Sequence, residues 1–173
     1  MASPADLHFT ADSPPRRHRY SVADFYGMER AGILAPDARV ELIDGEVIDM
    51  APIGSPHAGA VNLLNRGFVL AVGDRATVAI QNPVRLDDFS QPQPDLALLR
   101  PRSDGYRGAM PTAQDVLLLV EVAASSLGFD RNVKMPLYAR HGIPECWIVD
   151  VEGGQVLRYG EPGAVAYGIC API

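Results

Sequence analysis

The feature that most constrains the fold of this chain is the apolar run Val116-Leu117-Leu118-Leu119-Val120, which ends at the acid Glu121. An apolar run of this length between polar residues is typical of a central β-strand that is covered on both faces. A carboxylate without a partner in such a place is strongly destabilising, because a buried ion loses its hydration. We therefore expect Glu121 to pair with a cation, either a metal ion or a lysine.

The composition limits the class of protein. The chain has 173 residues, of which 47% are hydrophobic and 21% charged, enough for one substantial core. It has two cysteines and no secretory signal pattern, which predicts a reducing, cytoplasmic setting. No apolar stretch approaches the roughly 20 residues of a membrane span. The formal net charge of −6 counts against a broad nucleic-acid-binding surface.

The chain is predicted to consist of an arm and one domain. Residues 1–19 combine prolines and charged side chains with little apolar periodicity, so we predict a flexible N-terminal arm. Residues 20–173 are predicted to form a single domain. Arginines cluster within residues 16–19 and 100–107, and each cluster either contacts phosphate or is a solvated surface.

The order of helical and strand patterns predicts an α/β protein, a mixed sheet with helices packed on it. Ser21 and Asp24 indicate a capping box at the start of the first helix, and Asp44-Gly45 is typical of a tight turn between two strands. A second helix covers residues 56–72, with Ser55 as its expected cap. The remaining expected elements are strands at residues 76–80, 84–86, 96–99, 116–121, 146–151 and 155–159, and a helix from Asp130 that Pro136 kinks or delays.

Two side chains on these elements are candidate site residues, each with a structural alternative. Pairing across the tight turn places Glu41 on one strand face with Ile43 and Ile48, where it is either functional or on a half-wet face. His57 lies at the amino end of the second helix. A histidine in that position is more often structural than functional, so both interpretations stay open.

Asp95 and Glu121 form the strongest pair of candidates. Asp95 stands at the start of one strand and Glu121 near the end of another, so antiparallel pairing of these strands would bring both carboxylates to one sheet edge. Mg²⁺, or Mn²⁺ in its place, relieves the repulsion between two such acids, with the backbone oxygen of Val122 and water as further ligands. A metal held in this way can polarise a phosphate and activate water. Lys134, which would assist, is the only lysine in the chain.

Several segments together resemble the Uma-type family of endonucleases, within the PD-(D/E)XK nuclease superfamily. The resemblance extends from residue 20 to about residue 159, with the motifs in the right order. It implies a restriction-endonuclease-like core, to which an N-terminal helix and a β-hairpin are added. The segments are Glu41-Leu42-Ile43-Asp44-Gly45-Glu46, Ser55-Pro56-His57, Pro94-Asp95-Leu96-Ala97, Glu121-Val122, Asp130-Arg131 with Lys134 and Tyr138, and Gly142-Ile143-Pro144-Glu145-Cys146-Trp147-Ile148-Val149-Asp150.

The resemblance also implies roles for single residues. Asp95 and Glu121 become the motif acids and metal ligands, and Lys134 becomes a catalytic lysine that has moved from the strand to the next helix. Ala123 occupies the usual place of that lysine. The second helix lacks the acid that many members of the superfamily carry there, and Glu41 or His57 would stand in for it. The implied partners are nucleic acid, above all DNA, and a second subunit in a homodimer.

Three interpretations remain open from the sequence. The chain is a Mg²⁺-dependent endodeoxyribonuclease, or it is a catalytically inactive nuclease-fold module with a binding or regulatory role. In the third, Glu121 and Lys134 form a plain buried ion pair and Asp95 caps a turn. Positive charge over the two acids would favour the nuclease. The deciding observation is whether Arg85, Arg100, Arg102 or Arg107 lines the groove over these acids, since a wholly acidic groove would count against phosphate binding.

Overall fold

The computed structural model describes residues 16–173, so the first fifteen residues of the predicted arm lie outside the described part of the chain. Helices α1 to α4 comprise Val22–Arg30, Ser55–Val72, Leu127–Phe129 and Met135–Arg140, with a π-helical turn at Asp130–Lys134 and 3-10 turns at Gly73–Arg75 and Ala113–Asp115. Strands β1 to β8 comprise Val40–Ile43, Glu46–Asp49, Thr77–Ile80, Leu96–Leu99, Val116–Ala123, Glu145–Asp150, Gln155–Pro162 and Tyr167–Pro172.

A six-stranded mixed sheet forms the centre of the fold, with strands β3 to β8 in sequence order across it. Strand β5 lies inside the sheet, antiparallel to β4 and parallel to β6. Helix α2 covers one face through Val61, Leu64 and Phe68. The helical segment 127–140 covers the other face through Leu137 and Tyr138. The predicted fold class and the central strand covered on both faces are therefore confirmed.

The predicted capping box of the first helix and the predicted hairpin are also confirmed. Ser21 Oγ accepts a hydrogen bond from the Asp24 amide at 3.1 Å, and the Asp24 carboxylate accepts one from the Ser21 amide at 2.9 Å. Strands β1 and β2 form a separate two-stranded sheet with Glu41 opposite Ile48. Asp44 and Gly45 have φ values of +51° and +80°, as a type I′ turn requires.

Several expected boundaries were wrong. Residues 84–86 form no strand, and only Arg85 makes an isolated bridge, to Thr112. The cap of α2 is Gly54 and not Ser55, which is the first helical residue. Strand β5 continues to Ala123, because β6 pairs with it beyond Glu121. Strand β7 extends to Pro162 since a further strand, β8, pairs with it.

The helix expected from Asp130 begins earlier, at Leu127, and contains a wider turn. The amide of Met135 donates to the carbonyl of Asp130, five residues back, which defines the π-helical turn. Pro136 then falls in the first turn of α4, where a proline is tolerated. The extra residue in the wide turn accommodates the proline that was expected to kink or delay the helix.

No helix within residues 16–173 has the length and apolar character needed to cross a membrane.

Candidate active site

The register of β4 and β5 brings Asp95 and Glu121 together. Leu96 pairs with Val120, so the residue before β4 and the residue after Val120 are neighbours across the two strands. The carboxylate of Asp95 accepts a hydrogen bond from the Val122 amide at 2.8 Å. Asp95 is 8% exposed and Glu121 is 2% exposed. The two acids therefore meet at one sheet edge, as antiparallel pairing predicted.

Lys134 lies between two buried acids. Its Nζ is 3.3 Å from Glu121 Oε2 and 3.2 Å from Glu41 Oε2. Tyr138, one helical turn later on the same face, donates its hydroxyl to the other oxygen of Glu121 at 2.5 Å. The π-helical turn ends at Lys134 and so sets the direction of this side chain. The structure thus joins the acids of the hairpin and the sheet through one lysine.

Burial and crowding of acids decide the protonation of this group. Burial raises the pKa of Glu121 well above its ordinary value. The positive charge of Lys134 lowers this pKa and the negative charge of Asp130 raises it, but burial has the largest effect. Burial alone would lower the pKa of Lys134, but the carboxylates of Glu121 and Glu41 outweigh it and the pKa is raised. Burial likewise raises the pKa of Tyr138. Lys134 and Tyr138 therefore both act as hydrogen-bond donors at neutral pH.

Glu41 reaches the site from the hairpin. The Gln93 amide donates to its Oε2 at 3.0 Å, and the side chain is 3% exposed. The hairpin is fixed beside the main sheet by a bridge in which the Gln91 amide donates to the Leu42 carbonyl at 2.7 Å. Glu41 is therefore on a buried face, and the half-wet alternative is wrong.

His57 contacts Asp95 directly. Its Nε2 lies 3.0 Å from Asp95 Oδ1, and Gln81 Nε2 donates to the same oxygen at 3.3 Å. The Nδ1 atom of His57 is buried, and no group within residues 16–173 hydrogen-bonds it. His57 is thus placed to orient one of the two motif acids.

An acid-lined cavity of about 270 Å³ has Glu41, His57, Asp95, Glu121 and Lys134 in its wall. Arg85, Arg100, Arg102 and Arg107 do not line it, so they do not supply the positive charge that would favour the nuclease. The arginine at the cavity is Arg39. The acids that line the cavity are Glu41, Asp49, Asp95, Glu121 and Asp130.

Arg39 was missed although the sequence contained a signal for it. It precedes β1 and lies two residues before Glu41, and alternate residues along an extended segment share a face. Its guanidinium donates to the Ala51 carbonyl at 2.8 Å, while Lys134 is held by two carboxylates. Arg39 therefore has donors left for an anionic ligand.

Asp130 was expected at the start of a helix, without a role in the site. It lies instead in the π-helical turn, is 3% exposed and accepts a hydrogen bond from Ser126 Oγ at 2.6 Å. Burial raises its pKa, against the hydrogen bond from Ser126. Its spacing of four residues from Lys134 was the signal that it shares a helix face with the lysine.

The chemistry of the donor set fits a hard divalent cation, because carboxylate oxygens are the ligands that Mg²⁺ prefers. Within residues 16–173, no three His, Cys, Asp or Glu side chains already converge as a metal site. Mg²⁺ needs no such cluster, since it usually takes one or two carboxylates and keeps several waters. Asp95 and Glu121 provide those two carboxylates beside Val122, which also lines the cavity.

Comparison with known proteins gives the family. The profile described as Uma2, putative restriction endonuclease, matches residues 22–169. The chain belongs to the Uma2 family. The resemblance seen in the sequence is confirmed, and Uma2 membership supports a nuclease acting on nucleic acid. None of the curated proteins matches the chain.

The fold of this Uma2 protein is similar to that of a putative nuclease from Anabaena variabilis, known from a crystal structure. The TM-score is 0.63 at 14% sequence identity, over 84% of this chain and 82% of that one. At this identity the likeness shows a shared fold. It agrees with the restriction-endonuclease-like core that the sequence predicted.

Proposed function

We propose that this chain is a Mg²⁺-dependent endonuclease that hydrolyses phosphodiester bonds of DNA. The observation that carries the proposal is the meeting of Asp95 and Glu121 at adjacent strand ends, inside a cavity that Glu41 and Lys134 also line. Membership of the Uma2 family supports the reaction class.

In this proposal Asp95 and Glu121 hold Mg²⁺ or Mn²⁺, together with the backbone oxygen of Val122 and water. When bound, the ion supplies positive charge at the phosphate and lowers the pKa of water. His57 keeps Asp95 in place through the 3.0 Å contact between its Nε2 and Asp95 Oδ1. Glu41 takes the place of the acid that α2 lacks, because its carboxylate enters the same cavity from the hairpin.

Lys134 acts in this scheme as a hydrogen-bond donor and a fixed positive charge, because its raised pKa keeps Nζ protonated. Two of its three N–H groups are directed at Glu41 and Glu121. The third is available to a water molecule or a phosphate oxygen. Arg39 provides the second positive charge, at the side of the cavity nearest the hairpin.

Cleavage assays test the proposal. Wild type, Asp95→Ala and Glu121→Ala are incubated with single- and double-stranded DNA in Mg²⁺, Mn²⁺ or EDTA. We expect metal-dependent cleavage by wild type and at least about a hundredfold loss in both variants, as for removal of a metal that activates water. Asp74→Ala, which removes an exposed acid beyond the end of α2, is the matched control. Equal cleavage by all four proteins would contradict the assignment.

A catalytically inactive binding module is the second candidate, and one observation favours it. Lys134 is already engaged by two carboxylates, as a plain buried ion pair would be. Calorimetric titration with Mn²⁺ separates the candidates, since a metal-dependent nuclease must bind the ion at Asp95 and Glu121. DNA binding without Mn²⁺ binding and without cleavage would favour the inactive module.

A further inference from the structure

A second cavity lies beside the acid-lined one and differs from it in chemistry. It measures about 130 Å³ and lies between α1, the start of β1 and residues 83–93. Gln93 lines both cavities. Successive side chains of residues 38–41 point alternately to the two cavities. Arg39 and Glu41 line the acidic cavity, whereas Ala38 and Val40 line the second. The two cavities therefore lie on opposite faces of the β1 segment and share Gln93 as a common wall.

The second cavity combines aromatic walls with oriented polar groups. Phe25 and Tyr26 line it, with ring centroids 6.0 Å apart and the rings inclined at 63°. Gln91 is 4% exposed, and its Nε2 donates to the Tyr26 hydroxyl at 2.8 Å. The carboxylate of Glu29, on the same helix as the aromatic residues, is a further hydrogen-bond acceptor in the wall. The polar groups are thus held by the fold beside two flat apolar surfaces.

These walls do not suit a phosphate. Among the described residues that line the second cavity there is no Lys or Arg, and Glu29 would repel an anion. They suit a flat, neutral group that both stacks and hydrogen-bonds. Nucleobases stack on aromatic side chains, and glutamine and glutamate pair with the exocyclic amino groups of adenine and cytosine.

We propose that the second cavity binds a nucleobase that carries an exocyclic amino group, next to the phosphodiester in the acidic cavity. The inference rests on the proposed nuclease function and names its substrate class. A base can enter such a cavity only when it is unstacked from its neighbours. The preferred substrate is therefore single-stranded DNA with adenine or cytosine beside the cleaved bond.

Binding and cleavage are measured separately on the full chain. Fluorescence anisotropy gives the Kd of labelled oligo(dA), oligo(dC) and oligo(dT) in Ca²⁺, an oxygen-seeking cation that serves here in place of Mg²⁺. We expect oligo(dA) and oligo(dC) to bind about fivefold or more tightly than oligo(dT), and Phe25→Ala to weaken oligo(dA) binding about tenfold through lost stacking. Glu29→Gln and Tyr26→Phe preserve shape and should reduce the preference over oligo(dT).

Val165→Ala removes an exposed apolar side chain in the β7–β8 connection and serves as the control, with unchanged affinities. Equal affinity for the three oligonucleotides, or unchanged preference in Glu29→Gln and Tyr26→Phe, would overturn the inference even if Phe25→Ala fails to fold. Cleavage of the same oligonucleotides in Mg²⁺ reports on the nuclease function alone. Selective binding without any cleavage would reject that function and still support the base-binding cavity.

Discussion

Lys134 is the residue that connects the separate parts of the candidate site. It is the only cation within reach of both Glu41 and Glu121 among the described contacts, and all three side chains are almost fully buried. Removal of one partner from a buried ion pair leaves an uncompensated charge. We expect Lys134→Ala to lower the free energy of unfolding by about 3 kcal/mol, measured by urea denaturation.

The same experiment includes two comparisons. Glu121→Gln added to Lys134→Ala should recover part of the lost stability, because it removes one of the two carboxylates that lose their cation. Arg66→Ala, at an exposed position on α2, should change stability by less than about 0.5 kcal/mol. A Lys134→Ala protein as stable as wild type would contradict this expectation and show that the acids are neutral without the lysine, through bound protons or another cation.

His57 allows a test of positioning without a change of metal ligand. Its Nε2 contacts Asp95 Oδ1, and groups that orient ligands typically change metal affinity by 10- to 100-fold. We expect His57→Ala to weaken Mn²⁺ binding about tenfold in calorimetry. His57→Gln, whose amide reaches a similar position as a donor, should restore most of the affinity. Equal affinity in wild type and His57→Ala would exclude the positioning role.

At the residue scale, the sequence located the acids of the site better than its positive charge. Asp95 and Glu121 were predictable because each adjoins an apolar run. Lys134 was predictable because it is the only lysine in the sequence. Arg39 was not predicted, since its place depends on how the hairpin docks against the Gln91 segment. Docking of two sheets depends on contacts that are distant in sequence, which local patterns do not encode.

At the element scale, strands and helices with strong periodicity were predicted and their ends were not. The capping box of α1 and the hairpin turn are local, so the sequence specifies them fully. The extension of β5 depends on its partner β6. The helical segment 127–140 begins earlier than expected because it contains a π-helical turn, which the spacing of apolar residues does not predict. Tertiary contacts therefore decided where these elements begin and end.

The carboxyl end of α4 is tied to the loop before β4 by a pair that should respond to pH. His141 Nε2 is 3.1 Å from Asp87 Oδ2, and the Phe89 amide donates to Asp87 Oδ1 at 2.8 Å. Burial raises the pKa of Asp87, but the Phe89 amide and His141 outweigh it, so the pKa is lowered below 3.8.

A lowered folded pKa adds stability that is present above the ordinary pKa and is lost as the pH falls through the folded value. We therefore expect Asp87→Asn to be less stable than wild type at pH 7, by at most about 1 kcal/mol for a partly exposed pair. The difference should vanish well below pH 3.8. Thermal melts of both proteins across this range measure it, and a difference that does not change with pH would contradict the charged pair.

At the scale of the whole molecule, a net charge of −6 limits how the protein can hold DNA. Each phosphate neutralised on a single strand contributes about −0.7 to the slope of log K against log[salt]. Arg39 and Lys134 are the basic residues that line the described cavity. If each of them neutralises one phosphate, the slope should be smaller than about 2 in magnitude. Oligonucleotide binding at several KCl concentrations measures it. A much steeper slope would reveal a basic contact surface elsewhere.

The predicted homodimer is a separate prediction, which a sedimentation measurement of the oligomeric state tests.

The hairpin supplies Glu41 and yet belongs to a different sheet from Asp95 and Glu121. Local opening of a small sheet requires less free energy than global unfolding. Warming would therefore release the hairpin, and the acid it carries, while the six-stranded sheet stays folded. We expect catalytic inactivation at a lower temperature than the loss of sheet signal in circular dichroism, with early hydrogen exchange at the amides of Glu41 and Ile48, which face each other across the hairpin. Such a protein would be switched off by heat well before it melts.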